Sequence, residues 1–185
     1  LADAIHAAGG KIFAQLWYNW NAPGHWQPLA PAAPSLAPSV AQYEYGGMSI
    51  ATHAVTRDEI RMMNEAHRQS VTHLREAGFD GIEIHASHSG MVEQFLSPYF
   101  NRRTDEYGGS LENRTRFLRT IVEGIRAEAP GLRIGVRFSA FDTVPWRKGP
   151  EGRGEPERGD EGYTSAFGLL RGERVEDALD ESRAL

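Results

Sequence analysis

The sequence contains no cysteine, no apolar run long enough to span a bilayer and no surplus of positive charge, and each absence removes a class of function. Without cysteine there is no disulfide, no thiolate metal site and no cysteine nucleophile, although that absence fits any compartment. A membrane-crossing helix needs about 20 consecutive apolar residues. No stretch approaches that, and the first residues lack the basic-then-apolar pattern of a secretory signal. Asp and Glu number 25 against 20 Lys and Arg, for a net charge of -5 with the signs interspersed. Such a balance argues against a nucleic-acid groove or an anionic membrane as partner. The expectation is a soluble, cytoplasmic protein acting on a small molecule. Its 185 residues, 40% hydrophobic and 24% charged, suffice for one globular domain spanning 1-185. Leu1-Ala-Asp-Ala-Ile-His-Ala-Ala reads as mid-helix with neither an initiator Met nor a cap, so a longer parent chain is expected.

What is present is an alternation of helix and strand. Leu1 to Ala8 reads as a helix stopped by Gly9-Gly10, and Lys11 to Trp17 as a strand. Thr56 and Glu59 have capping-box spacing, and Ile60, Met63, His67, Val71 and Leu74 share one helical face up to the Gly78 stop. A strand from Gly81 to His85 follows. Ser110 is placed to cap a helix from Leu111 to Glu128, which Pro130-Gly131 ends before a strand from Arg133 to Ser139. The links from helix to strand are short, whereas those from strand to helix are long. The one between Ala86 and Ser110 runs 25 residues. This asymmetry is expected of a (β/α) barrel, whose site is built from the loops after its strands, although a doubly wound sheet has the same alternation.

Side chains alternate across a strand, so each strand has one apolar face and one face with a polar residue near its C-terminal end. Gln15 goes with Phe13 and Trp17, His85 with Glu83, and Arg137 with Gly135 and Ser139. An amide, an imidazole and a guanidinium together suit an extended heteroaromatic ring that gains negative charge on reduction. The plainer alternative is that Gln15 and Arg137 fill polar rim positions. His85-x-x-His88 lies at a strand end rather than along one helix face and has no third ligand at familiar spacing, so metal is disfavoured against a carbonyl clamp or a structural role.

The segment Gly78-Phe-Asp-Gly-Ile-Glu-Ile-His85, then His88, Gln94-Phe-Leu-Ser-Pro98, Asn101-Arg-Arg-Thr-Asp105 and Tyr107-Gly-Gly-Ser-Leu-Glu-Asn-Arg114, resembles the signature of the old yellow enzyme family of FMN-dependent oxidoreductases. Ile12 to Trp17 and Gly135 to Ser139 resemble that family's third and fifth barrel strands, and the resemblance extends to about Trp146. It implies an α/β fold, a TIM-type (β/α)8 barrel, of which roughly strands 3 to 5 with flanking helices lie in this chain. The phosphate-binding strands would lie outside it. FMN would sit at the mouth of the barrel and be reduced by NADH or NADPH, and hydride would pass to an activated alkene such as an α,β-unsaturated carbonyl. Carried over by position, Gln15 would bind the flavin pyrimidine edge and Arg137 would lie near flavin N1. His85 and His88 would hold the substrate oxygen, and Trp17 would line the pocket. The complete enzyme would be open to forming a homo-oligomer.

One position departs from that pattern. Many ene-reductases of the family carry a proton-donating tyrosine two residues after the second histidine, where this sequence has Gly90. Water, Tyr99 or Tyr18 would have to replace it, or the reaction is the oxidation of a carbon next to nitrogen, as in the amine dehydrogenase and demethylase branch. A third alternative is an inactive barrel fragment acting only in protein association. Residues 22 to 46 are expected to form a long loop. The 147-162 segment contains only Gly, Pro and charged residues and is expected to be a mobile loop. The polar run Arg102, Arg103, Asp105 and Glu106 is expected to support the fold rather than do chemistry.

Overall fold

Helix starts are where local sequence and structure agree most closely. Thr56 Oγ1 accepts the Glu59 N–H (3.2 Å) and the Glu59 carboxylate accepts the Thr56 N–H (2.7 Å), so both halves of the capping box form. Such caps contribute about 1 kcal/mol each. The computed structural model describes residues 1–18, 35–40, 42–45, 48–88, 90–98, 100–139, 146–149, 151–152 and 154–156.

In chain order the elements are α1 (Ala2–Ala7), β1 (Phe13–Leu16), β2 (Ser35–Ala37), β3 (Gln42–Tyr45), β4 (Met48–Ala54), α2 (Arg57–Glu76), β5 (Gly81–Ala86), α3 (Met91–Leu96), α4 (Leu111–Glu128), β6 (Arg133–Phe138), β7 (Trp146–Lys148) and β8 (Gly154–Pro156). Strands β1, β5 and β6 form a parallel sheet with β5 in the middle, the arrangement that helix-strand alternation with short return links produces. Among the described residues this sheet is an arc and does not close. β4 lies between a parallel β2 and an antiparallel β3, and β7 pairs antiparallel with β8.

One face of the arc is covered. Ile82, Ile84 and Ala86 of β5 are fully buried, and they join Ile60, Met63 and Val71 of α2 and Phe117, Leu118, Ile121 and Ile125 of α4 in one core. Burying an Ile side chain contributes about 1.5–3 kcal/mol, so the middle strand is the best-anchored element of the sheet. Helices α2 and α4 pack side by side, with Gly124 letting the Arg68 stem pass close.

The long strand-to-helix connection is largely structured. It contains α3, all six of whose residues are buried, which sequence periodicity over so short a run does not reveal. Arg103 forms a bidentate pair with Asp105 (2.9 and 2.6 Å) and donates to the carbonyls of Pro38 and Val55, tying the connection to β2 and to the start of α2. The Arg102 N–H donates to Ser39 Oγ, and Arg57 pairs with Glu106. The polar run is therefore structural, as its composition suggests. Gly108 is required because a Cβ there would fall 2.1 Å from the Arg103 carbonyl oxygen.

Other expectations meet the structure unevenly. The 22–46 stretch contains β2 and β3 where it is described; the remainder, with Trp26, lies outside the described residues. In the 147-162 segment the described part contributes most of β7 and all of β8, and its other residues, with the amphipathic run from Val175, lie outside.

His67, read from the sequence as one of the apolar-face positions of α2, is buried, with its Nδ1 3.3 Å from the Met63 carbonyl oxygen and its ring edge-on to Tyr18. Burial pushes its pKa down to about 4. The unfolded chain takes up a proton near pH 6.5 that the folded chain refuses, so stability is full above about pH 6.5 and falls as pH drops toward 4. We expect denaturant unfolding to show a loss of about 3 kcal/mol across that window, and His67→Gln to remove most of this pH dependence. An unchanged slope in the variant would assign the acid sensitivity to other groups.

Candidate active site

The uncovered face of the β1-β5-β6 arc is layered by its register. At the bottom Phe13 lies beside Gly81, which lies beside Arg133; one layer up are Gln15, Glu83 and Gly135; above these His85 lies beside Arg137. Layers two residues apart are separated by roughly 6.6 Å along the strands. Phe13 needs Gly81 as its neighbour, because a Cβ there would fall 2.2 Å from the Phe13 ring.

The sequence-derived site residues come together on this face, but not at one height. His85 and Arg137 share the top layer. Trp17, just past the end of β1, reaches it by stacking on His85, with ring centroids 5.1 Å apart and planes 22° apart. Gln15 sits one layer lower, where its Nε2 donates to the Glu83 carboxylate. Arg137 is exposed and has no carboxylate partner among the described residues, leaving a free cation at the mouth.

His88 is drawn to His85 by an unusual backbone. It has φ of 54°, in the left-handed region that costs a non-glycine residue about 1–2 kcal/mol. This bend returns its ring over the strand end, with Nδ1 3.1 Å from His85 Nε2. The Ser87 N–H points at His85 Nδ1 (3.3 Å), which must therefore accept and leaves the His85 proton on Nε2. His85 Nε2–H therefore donates to His88 Nδ1, and the two imidazoles are joined by a hydrogen bond. Burial, followed by the nearby His88 and Arg137, pushes the His85 pKa down, so its imidazole is held neutral.

Gly90 has a steric reason. A Cβ at this position would fall 2.8 Å from Trp17 Nε1 and 3.2 Å from the Ser87 carbonyl oxygen, so the indole occupies the space a side chain would take. Tyr18 is not a substitute acid: its hydroxyl donates to the Met63 carbonyl on the covered side of the sheet, and burial raises its pKa. Tyr99 lies outside the described residues. Ser139 Oγ donates to Glu93 (2.8 Å), fixing the end of β6 to α3. Among the described residues no group of three or more His, Asp or Glu is placed to hold a metal ion, and no helix is long and apolar enough to cross a membrane.

Residues 1–151 match the NADH:flavin oxidoreductase / NADH oxidase family. The chain belongs to that family. Rice (Oryza sativa subsp. japonica) 12-oxophytodienoate reductase 1 is 37% identical over 147 residues, covering 76% of this chain and 38% of its own length. The old yellow enzyme homologue of Zymomonas mobilis is 34% identical with a TM-score of 0.63, over 75% of this chain and 40% of that one. Histamine dehydrogenase from Rhizobium sp. 4-9 is 31% identical with a TM-score of 0.67, over 77% and 21%. The chain thus spans about 40% of the length of the curated relatives it matches. Old yellow enzymes are TIM barrels that use FMN, and the parallel β1-β5-β6 sheet with its covering helices is the part of this chain consistent with a portion of such a barrel.

The residues of this family member fit a flavin. The uncovered face offers an amide at Gln15, an unpaired guanidinium at Arg137 and the ring of the half-exposed Trp17. Gly135 leaves the middle layer open, with only ordinary contacts awaiting a Cβ there. That donor set suits a planar ring with an imide edge that gains negative charge.

The sequence gives no sign of the Trp17–Gly90 packing or of Ser87 acting on His85. Glu83 was visible only as a residue alternating onto the His85 face. We expect Gly90→Ala to cost roughly 1–2 kcal/mol through overpacking against Trp17, and much of that cost to vanish in a Trp17→Ala background. Equal costs in both backgrounds, measured by denaturant unfolding, would show that the indole does not define the space.

Proposed function

We propose that this chain supplies the substrate-facing part of an FMN-dependent NAD(P)H oxidoreductase that reduces activated alkenes such as α,β-unsaturated carbonyls. The supporting observation is the hydrogen-bonded pair of His85 Nε2 and His88 Nδ1, 3.1 Å apart, with Arg137 beside His85 on the neighbouring strand. Bound FMN would supply the hydride. Gln15 and Arg137 would hold its ring, Arg137 stabilising negative charge at the edge it faces. A carbonyl oxygen that displaces the hydrogen bond between the histidines receives the His85 Nε2–H, and a change of His88 tautomer gives it the His88 Nδ1–H as well. Two N–H donors then stabilise the negative charge that grows on that oxygen as the β-carbon is reduced. Trp17 stacked on His85 keeps that ring in place and walls the pocket.

A second reading has its own support. The space beside His85 where a proton-donating side chain would stand is filled by Trp17, and the Rhizobium relative is an amine-oxidising enzyme by name. Oxidation of a carbon next to nitrogen needs no acid there. In the alkene reading the proton comes from water or from Tyr99, which lies outside the described residues.

Two measurements on FMN-loaded protein test these assignments. His85→Ala and His88→Ala are each expected to weaken phenol-type ligands by roughly 10–100-fold, seen as loss of a long-wavelength charge-transfer band, without releasing FMN. Stopped-flow reoxidation of reduced flavin by cyclohexenone, with flavin reduction by N-methylated amines alongside, separates the two chemistries. Rapid reoxidation by the enone supports alkene reduction; reaction with amines alone makes the second reading the better assignment.

A further inference from the structure

Among the described residues, Glu83 is the one carboxylate in the middle layer of the uncovered face. It is half-buried between Gln15 on one side and Gly135 on the other, and it accepts a hydrogen bond from Gln15 Nε2. Its part in the site is not explained by packing, since the covered face carries the core. An amide side chain has two nearly isosteric orientations, and only its neighbours decide between them. An ionised carboxylate accepts hydrogen bonds and donates none, so Glu83 can face only the NH2 end of Gln15. The amide carbonyl oxygen is then turned away from Glu83, and one N–H remains unused.

We propose that Glu83 is a positioning residue that fixes the polarity of the Gln15 amide, so that Gln15 presents an acceptor and a donor in a set order to the imide edge of the flavin ring. This rests on the proposed FMN site. The pyrimidine edge alternates carbonyl oxygen, N–H and carbonyl oxygen. An amide of fixed polarity places its oxygen against that N–H, whereas the flipped amide would set N–H against N–H. Gly135 completes the arrangement by leaving the other flank of Glu83 free of a side chain: a Cβ there would stand 3.9 Å from Glu83 Cγ.

The experiment is a double-mutant cycle read by the dissociation constant of FMN, titrated into stripped protein and followed by quenching of flavin fluorescence. Gln15→Ala and Glu83→Met are each expected to raise that constant about tenfold. Because Glu83 acts through Gln15, the double variant should bind no more weakly than Gln15→Ala alone. Glu83→Gln, whose carbonyl can still accept from Nε2 but whose NH2 also tolerates the flipped amide, should raise the constant only about threefold. Should Glu83→Met fail to fold, the cycle of Glu83→Gln with Gln15→Ala gives the same test. Additive losses in either cycle, or wild-type affinity in the Glu83 variants while Gln15→Ala weakens binding, would overturn the positioning role and leave the FMN site standing. Unchanged affinity in Gln15→Ala would instead overturn the flavin edge at Gln15 and the positioning role together.

Discussion

The structure depends on burying one face of strand β5. Ile82, Ile84 and Ala86 have no solvent exposure beneath α2 and α4, and since strand side chains alternate, that burial forces Glu83 and His85 onto the opposite face. A slip of one residue would turn a carboxylate and an imidazole into the apolar core beneath α2 and α4 and move the isoleucines out of it. Register with β1 and β6 follows from the same constraint, and it sets Gln15 beside Glu83 and Arg137 beside His85. The order of polar groups at the mouth is thus a consequence of where the apolar ones go.

Above that strand, a local cost is held by several contacts. His88 stands in the left-handed region, which an isolated residue would leave readily. It is kept there between β5, which ends in the buried Ala86, and α3, whose six residues are all buried and whose Met91 N–H reaches the Tyr18 carbonyl. The connection continues through Asn101, whose amide donates to the carbonyls of Phe95 and Tyr107 (2.7 Å each), and through Arg103, anchored to Pro38 and Val55. Few of these groups touch the site. Their work is to hold the return of the chain so that the His88 ring meets the His85 ring in a hydrogen bond.

Trp17 and Gly90 show how one substitution in a site presupposes another. With an indole stacked on His85, a side chain at 90 has no room, and with glycine at 90 the indole can lie flat. The pocket therefore gains an aromatic wall where a side chain at position 90 would otherwise stand.

Much of this protein was legible in its sequence because it is encoded locally. The capping box of Thr56 and Glu59, the span Leu111–Glu128 behind Ser110, the strand at Gly81 and the alternation that puts Gln15, His85 and Arg137 on one kind of face all rest on neighbours within a few residues. The family signature likewise lies in contiguous segments. What tertiary structure decided were relations between residues far apart in the chain. These include Gln15 one layer below His85, Tyr18 turned to the covered side by the Met63 carbonyl, and Arg103 bound to Val55 across 48 positions. They also include the filling of the space beside Gly90 by Trp17. Local propensity carries no information about such pairs. They are fixed when the apolar faces of the sheet and helices close on one another and the polar groups take the positions that remain.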